Sequence, residues 1–237
     1  MTKVLIPCET SPGERRVSAT PGAVKKLKNL GCEVFIESSA GELSGFNDFL
    51  YKDAGGQIVV ESDINIWEDA DIIFCVQAPS KGKLRKLKKG AILLGLLNPY
   101  SNYNLLEIIT SKKISALSLE LLPRISRAQS SDVLSSQANI AGYKAVLLAA
   151  SELDRYFPML MTAAGTVQPA KVVVLGGGVA GLQAVATAKR LGAIVFVSDI
   201  RPAVKEQVES LGARFIELPE VDEKPGEAGG YAKAGTP

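Results

Sequence analysis

The stretch KVVVLGGGVAGLQAVATAKRLGAIVFVSDIR, residues 171–201, decides the fold class. An apolar strand pattern runs into three glycines, and a helix pattern begins directly after them. Gly176, Gly178 and Gly181 have the spacing G-x-G-x-x-G. In this spacing the first glycine permits a tight turn, the second lets the backbone approach a pyrophosphate, and the third allows the helix to pack closely on the strand. The stretch therefore predicts a strand, turn and helix that bind a dinucleotide.

An acidic residue at the end of the next strand pattern narrows the choice of dinucleotide. Asp199 follows the apolar run AIVFVS, where a carboxylate accepts hydrogen bonds from the ribose hydroxyls of NAD and repels the 2′-phosphate of NADP. Arg201 favours the opposite choice, since an arginine can bind that phosphate, although it can also lie against the adenine. Because the carboxylate stands at the strand tip, we expect NAD(H). The residues expected to bind it are Gly176, Gly178, Val179, Ala180, Gly181, Asp199, Ile200 and Arg201.

The rest of the chain alternates strand and helix patterns in the same way. The apolar runs are continuous, which is typical of parallel strands that are covered on both faces. The segments NLGCEVFIE, RLGAIVFVS and SLGARFIEL each end a helix with Leu-Gly and enter a strand at once. Glycine can adopt the left-handed conformation that ends a helix. The sequence therefore predicts an α/β fold of two Rossmann-like lobes with parallel, doubly wound sheets.

The domain organisation follows from the longest helix pattern, which covers residues 133–157 and leads into a segment with Pro158, Gly165 and Pro169. We predict an N-terminal α/β lobe over 1–135, a connecting helix and linker over 136–165, and an NAD(H)-binding lobe over 166–237. About half of a dinucleotide fold follows residue 165, so we expect the second lobe to be incomplete at its C-terminal end.

Composition excludes several classes of protein. The 237 residues carry a net charge of +2, which gives no reason to expect a nucleic-acid partner. No run of about 18 apolar residues suggests a membrane span, and the N-terminus lacks the apolar core of a signal peptide. Cys8, Cys32 and Cys75 are expected to be buried free thiols, and no metal site is predicted. The basic segment KGKLRKLKKG, residues 81–90, is interpreted as a solvated helix face rather than a docking surface.

A second polar stretch, PRISRAQSSDVLSSQ at residues 123–137, precedes the long helix pattern. It contains Arg124, Gln129 and Asp132, yet the chain has no histidine that could carry protons beside them. These side chains suggest a site that positions a substrate. The alternative is structural: the arginines are solvated loop residues, and Asp132 only caps the helix that begins at Val133.

Four segments carry a resemblance to a known family: PCETSPGERRVSATP (7–21), PRISRAQSSDVLSSQANIAGYKAV (123–146), MTAAGTVQPAKVVVLGGGVAGLQAVATAKRLGA (161–193) and VKEQVESLGA (204–213). Together they resemble the alanine dehydrogenase/transhydrogenase family, and most of all the NAD(H)-binding alpha subunits of proton-translocating transhydrogenases. The resemblance covers essentially the whole chain, and the 123–146 segment distinguishes between the family's branches.

This resemblance implies roles for particular residues and partners. Arg124, Gln129, Asp132 and Ser135 are implied to orient the nicotinamide end of the cofactor. Gly230 and Tyr231, in the segment AGGYAK, are implied to belong to a mobile loop that folds over the nucleotide. The implied reaction is direct hydride transfer from NADH to NADP⁺ held on a separate NADP(H)-binding domain. The implied assembly is a homodimer on the cytoplasmic face of membrane proton-channel subunits.

The sister activity of the family is less compatible with this sequence. Alanine dehydrogenases in the family use a lysine and a histidine, and the matching strand ends here carry Gln77 and Asn98, while Arg15 remains. An amino-acid dehydrogenase must move a proton as well as a hydride, whereas hydride transfer between two nicotinamides requires only positioning. An alanine-type dehydrogenase is kept as one alternative, and a non-catalytic NAD-binding module as another.

Overall fold

The computed structural model describes residues 1–60 and 65–217, and the chain divides into two compact units between Ser131 and Asp132. This division lies close to the predicted boundary at residue 135. Within the described ranges, no helix is long and apolar enough to cross a membrane.

The first unit is built on a six-stranded sheet whose strands are all parallel and lie in the order β3-β2-β1-β4-β5-β6. The order reverses between β1 and β4, and in such sheets the crevice at the carboxyl ends of those strands is the usual ligand site. The strands are β1 (Lys3–Ile6), β2 (Glu33–Glu37), β3 (Gln57–Val59), β4 (Ile72–Gln77), β5 (Ile92–Leu96) and β6 (Ser115–Ser118). The helices are α1 (Pro21–Asn29), α2 (Asp48–Asp53), α3 (Ile66–Asp69), α4 (Lys81–Lys86) and α5 (Tyr103–Lys112), with short 3₁₀ turns at Glu42–Ser44, Leu119–Leu121 and Ser126–Ser131.

The inner strands of this sheet are buried on both faces, as the continuous apolar runs predict, whereas the edge strand β6 is largely exposed. In β1, Leu5 packs in one hydrophobic cluster with Ile73 and Leu93, while its neighbours Val4 and Ile6 pack in a second cluster on the other face. All five side chains are completely buried. A strand whose side chains are apolar on both faces needs helices on both sides, which is the doubly wound arrangement expected from the sequence.

The three cysteines are free thiols, as predicted, but they are not all buried. Cys75 lies within β4 and is buried, and this burial raises the pKa of its thiol to about 12. Cys8 and Cys32 are only partly buried, because one follows the end of β1 and the other lies in the turn between α1 and β2. The prediction of three buried thiols was therefore wrong for the two that lie outside the strands.

The three Leu-Gly joints adopt the predicted conformation. Gly31, Gly192 and Gly212 follow α1 and the two later helices with φ angles of 82°, 89° and 75°. A positive φ is unfavourable for residues with a Cβ atom, and glycine adopts it without strain. Each joint therefore ends its helix and turns the chain directly into the next parallel strand.

The second unit combines a long helix, a hairpin and a three-stranded parallel sheet in the order β11-β10-β9. Its helices are α6 (Val133–Glu152), α7 (Val179–Arg190) and α8 (Val204–Ser210). Its strands are β7 (Leu160–Thr162), β8 (Gly165–Val167), β9 (Lys171–Leu175), β10 (Ile194–Ser198) and β11 (Arg214–Ile216). The two parallel sheets confirm the predicted α/β class.

The antiparallel β7–β8 hairpin differs from the sequence patterns, which indicate only a linker there. Its connection is Ala163–Ala164, and it lacks the Asn-Gly or Asp-Gly pair that usually marks a two-residue hairpin turn. All six strand residues are exposed, so no burial pattern marks them either.

Helix α6 packs against α7 at an unusually close point. A Cβ atom placed on Gly142 would lie 2.0 Å from the carbonyl oxygen of Ala180, in the first turn of α7. One turn earlier on α6, Asn139 Nδ2 donates to Gln183 Oε1 at 3.0 Å. The helix predicted as a connecting element is thus held within the second unit by a backbone contact that only glycine permits.

The basic segment 81–90 is only partly a solvated face. Lys83 Nζ lies 3.0 Å from Glu37 Oε2, and Trp67 Nε1 donates to the other oxygen of this carboxylate at 2.8 Å. Glu37 is buried, and Lys83 also lies over the ring of Trp67. One lysine of the segment therefore anchors α4 to the sheet, since a buried carboxylate requires such partners.

Candidate nucleotide-binding site

The glycine loop between β9 and α7 has the geometry that its spacing predicts. Gly176 has a φ of +93°, so the chain turns sharply where the strand ends. A Cβ atom on Gly181 would lie 1.8 Å from the carbonyl oxygen of Gly176. The first and third glycines of the motif are therefore required by the fold itself, one for the turn and the other for the contact between helix and loop.

Gly177, between the motif glycines, has a role that the sequence did not indicate. A Cβ atom there would lie 2.2 Å from Val204 Cγ1, so α8 packs directly on this residue. Its backbone N–H donates to Asp199 Oδ2 at 2.7 Å, which ties the loop to the tip of β10. The available signal was the run of three consecutive glycines, because the motif leaves this middle position open.

Gly178 differs from the other loop glycines because no contact among the described residues requires it. Its φ of −78° is accessible to any residue, and a Cβ atom would meet none of the described atoms within 4 Å. It forms the N-cap of α7, and because glycine has no side chain, no capping group of this residue occupies the N–H groups of the first turn. A bare helix N-terminus beside a missing Cβ fits the close approach of a pyrophosphate.

Asp199, the residue predicted to bind the ribose, follows the end of β10 and lies beside the loop. Its side chain is 5% exposed. In addition to Gly177 N–H, its carboxylate accepts from the backbone N–H of Arg201 at 2.8 Å and from the Arg201 side chain at 2.9 Å. The hydrogen bonds from this guanidinium lower the pKa of Asp199 to about 2, so the group is ionised at neutral pH.

The four residues predicted to orient the nicotinamide fall in both units. Arg124 and Gln129 belong to the first unit and are exposed, with Gln129 in the last 3₁₀ turn. Asp132 and Ser135 open the second unit, where Asp132 caps α6 by accepting from Ser135 N at 2.9 Å and from Ser135 Oγ at 2.6 Å. The capping role considered from the sequence is therefore present, and it is compatible with a further role of Asp132. Gly230 and Tyr231 lie outside the described residues.

The first unit carries a polar cluster at the sheet edge where β1 and β4 end. Arg16 holds Glu14 through two hydrogen bonds of 2.7 and 2.6 Å, and Gln77 Nε2 donates to the same carboxylate at 3.0 Å. These contacts, led by that of Arg16, lower the pKa of Glu14 to about 2. Glu9 accepts from the Gln77 backbone N–H at 3.1 Å, and burial raises the pKa of this carboxyl. The side-chain amide of Gln77 therefore binds the Glu14 carboxylate of the protein itself.

Asn98 is the second position that the family resemblance compares with a residue of alanine dehydrogenases, and it lies just after β5. Its φ is +46°, a left-handed conformation that asparagine tolerates better than most residues. Its N–H donates to Glu120 Oε1 at 2.5 Å. Arg15, which the resemblance implies is kept while Gln77 and Asn98 replace the lysine and histidine, is exposed.

Comparison with known proteins assigns the family. The family model described as alanine dehydrogenase/PNT, N-terminal domain matches residues 5–141, and the C-terminal domain of the same family matches residues 145–228. The chain is 49% identical over 237 residues to an NAD(P) transhydrogenase subunit alpha protein of Rhodospirillum rubrum, a match that covers 98% of this chain and 62% of that protein.

Solved structures agree with this assignment. The transhydrogenase from Sinorhizobium meliloti matches with a TM-score of 0.87 and 48% identity, over 91% of this chain and 62% of that one. An L-alanine dehydrogenase matches with a TM-score of 0.77 and 30% identity, over 90% of this chain and 60% of that one. The chain thus spans less than two thirds of the length of these relatives. Because the two family models match residues 5–141 and 145–228, the chain belongs to the alanine dehydrogenase/PNT family, as its motifs predict.

Proposed function

We propose that this chain is the NAD(H)-binding component of a proton-translocating transhydrogenase. The proposed reaction is direct hydride transfer between NADH on this chain and NADP⁺ on a separate domain. The proposal draws on the similarity to the alpha subunit of Rhodospirillum rubrum and on the transhydrogenase structure from Sinorhizobium meliloti.

Gly178 is the observation that carries the cofactor assignment. Three of the four loop glycines, Gly176, Gly177 and Gly181, are explained by a positive φ or by a contact that a Cβ atom would prevent. Gly178 has neither reason, and it stands at the uncapped end of α7. A ligand that needs this space explains the glycine, and a pyrophosphate suits both the space and the positive end of the helix.

The reaction needs positioning more than proton transfer. Bound NAD(H) supplies a hydride at its nicotinamide ring, and hydride exchange between two such rings leaves no proton to carry. We propose that Arg124, Gln129, Asp132 and Ser135 orient the ring, while the glycine loop and Asp199 hold the other end of the molecule. These proposed roles are compatible with a chain without histidine, since none of these side chains is required to titrate near neutral pH.

The proposed partners follow from the name of the relative, which is a subunit and therefore one component of a larger complex. We propose that an NADP(H)-binding domain and membrane proton-channel subunits complete the complex, and that this component forms a homodimer on their cytoplasmic face. No nucleic-acid partner is proposed, because a net charge of +2 gives no reason to expect one.

The decisive experiment mixes the full-length protein with an NADP(H)-binding partner domain and follows NADH oxidation by an NADP⁺ analogue of distinct absorbance. We expect rapid transfer that depends on both proteins. NADH binding without transfer would instead support a non-catalytic NAD-binding module. NADH oxidation that requires pyruvate and ammonia would support the alanine-type alternative.

A further inference from the structure

The carboxylate of Asp199 has no acceptor site left for a ribose. It accepts four hydrogen bonds: from Gly177 N at 2.7 Å, from Arg201 N at 2.8 Å, and from Arg201 Nε and Nη2 at 2.9 Å each. An ionised carboxylate offers about four lone-pair positions. A ribose hydroxyl can therefore donate to Asp199 only after one of the present donors leaves.

Two of the four donors can leave, and both belong to one side chain. The N–H of Gly177 is fixed by the loop, which packs on Val204, and the N–H of Arg201 is fixed by the turn that follows β10. The Arg201 side chain is the more mobile partner, since it is 27% exposed whereas Asp199 is 5% exposed. Its departure opens two acceptor positions, and the two neighbouring hydroxyls of a ribose need two.

We propose that Arg201 determines nucleotide affinity and specificity by competing with the ribose of NAD(H) for Asp199. This inference rests on the proposed function, because it concerns the same nucleotide site. A bidentate, charge-assisted pair must be exchanged for bonds from neutral hydroxyls, so Arg201 weakens the binding of NADH. The 2′-phosphate of NADPH is affected in the opposite way. The exposed part of the guanidinium can bind this phosphate while Arg201 is still paired with Asp199, so Arg201 strengthens the binding of NADPH. Arg201 therefore narrows the preference for NADH over NADPH.

The test is a titration of NADH and NADPH, by nucleotide fluorescence at fixed ionic strength, against full-length wild type and Arg201→Ala. We expect about three- to tenfold tighter NADH binding and weaker NADPH binding in the variant, given the strength of charged hydrogen bonds. Lys205→Ala is the matched control. It removes a nearby positive charge that pairs with Glu217 and does not touch Asp199, so neither affinity should change more than about twofold.

The outcomes separate this inference from the proposed function. Unchanged or weaker NADH binding by Arg201→Ala would overturn the inference, because it would mean that Arg201 supports the bound nucleotide or is irrelevant to it. Failure of the wild type to bind NADH would overturn both. Arg201→Gln serves if the alanine variant does not fold, since it keeps one neutral donor for Asp199. That variant should bind NADH more tightly than wild type by a smaller factor, and a lower affinity would equally refute the inference.

Discussion

At the scale of single residues, the glycine loop contains three glycines that the fold requires and a fourth, Gly178, that we propose is required by a ligand. We predict that Gly178→Ala folds and loses no more than about 1 kcal/mol of stability, the cost of alanine at an N-cap, because its Cβ atom would meet no atom of the described residues within 4 Å. The same Cβ atom would stand in the proposed pyrophosphate position, so NADH binding should weaken by at least about tenfold. Gly177→Ala is the matched comparison. It should lower the free energy of unfolding by about 1–3 kcal/mol, because its Cβ atom would overlap Val204.

Urea unfolding and NADH titration of both variants distinguish these effects. Equal loss of stability in the two variants would show that Gly178 is structural. Undiminished NADH affinity in Gly178→Ala would remove the main support for a pyrophosphate at this position.

The ionised state of Asp199 predicts how stability depends on pH. Its folded-state pKa is about 2, below the ordinary value of about 3.9. Its contribution, about 2 kcal/mol, is therefore complete above about pH 5 and is lost progressively as the pH falls from there towards 2. Urea unfolding at several pH values should show Asp199→Asn to be less stable than wild type at pH 7. The difference should shrink between about pH 5 and 2, and a constant difference across that range would contradict the assignment.

At the scale of elements, the N-terminus of α6 combines a structural role with a proposed functional one. Asp132 caps the helix by accepting from Ser135 N, and asparagine caps helices about as well as aspartate. Asp132→Asn should therefore keep its stability within about 0.5 kcal/mol, whereas Asp132→Ala should lose about 1 kcal/mol. If the charge also orients the nicotinamide, hydride transfer should fall in both variants.

Thermal unfolding and the transfer assay with the partner domain test this distinction. Full transfer activity in Asp132→Asn, together with a loss confined to Asp132→Ala, would assign Asp132 to capping alone. The asparagine variant is thus the informative one, because its amide oxygen can still accept from Ser135 N and cap the helix while the negative charge is removed.

The crossing of α6 and α7 depends on a single missing side chain. In Gly142→Ala, the new Cβ atom would lie 2.0 Å from the carbonyl oxygen of Ala180, and a backbone atom cannot rotate away. We expect the free energy of unfolding to fall by about 1–3 kcal/mol or more, despite the higher helix propensity of alanine.

Gly22→Ala in α1 is the control for this substitution, because among the described residues its Cβ atom would meet only Thr20 Oγ1, at 3.8 Å. It should be neutral or slightly stabilising in the same urea titration. Similar effects of the two substitutions would mean that the helices can separate at Gly142 without cost.

At the scale of the whole molecule, features with a repeating sequence pattern could be predicted from the sequence. Features that depend on a single contact or turn could not. The two parallel sheets follow from continuous apolar runs and from Leu-Gly joints that recur after three helices. The β7–β8 hairpin was missed because Ala163–Ala164 has no distinctive turn chemistry. The pairing of Arg201 with Asp199 could not be inferred from the sequence, because it depends on how the chain turns after β10. The same is true of Gly177, whose contact with α8 exists only once the unit has folded.

The side chains present in the whole chain lead to the last prediction. We expect that the protein does not oxidise NADH with pyruvate and ammonia. That reaction needs a group that exchanges protons near neutral pH, and the chain has no histidine. At the strand ends concerned, Gln77 donates to Glu14, and Arg16 lowers the pKa of this carboxyl to about 2. Glu9 has a raised pKa, but its carboxylate is tied to the backbone N–H groups of Val76 and Gln77.

We therefore expect NADH oxidation in the presence of pyruvate and ammonia to equal that of a sample without protein, across pH 6–9. Glu9→Gln identifies the source of any activity. Turnover that the variant abolishes would mean that Glu9 moves the proton and that the first unit retains a dehydrogenase site. Turnover that persists in the variant would equally contradict the prediction and would place the proton donor elsewhere in the chain.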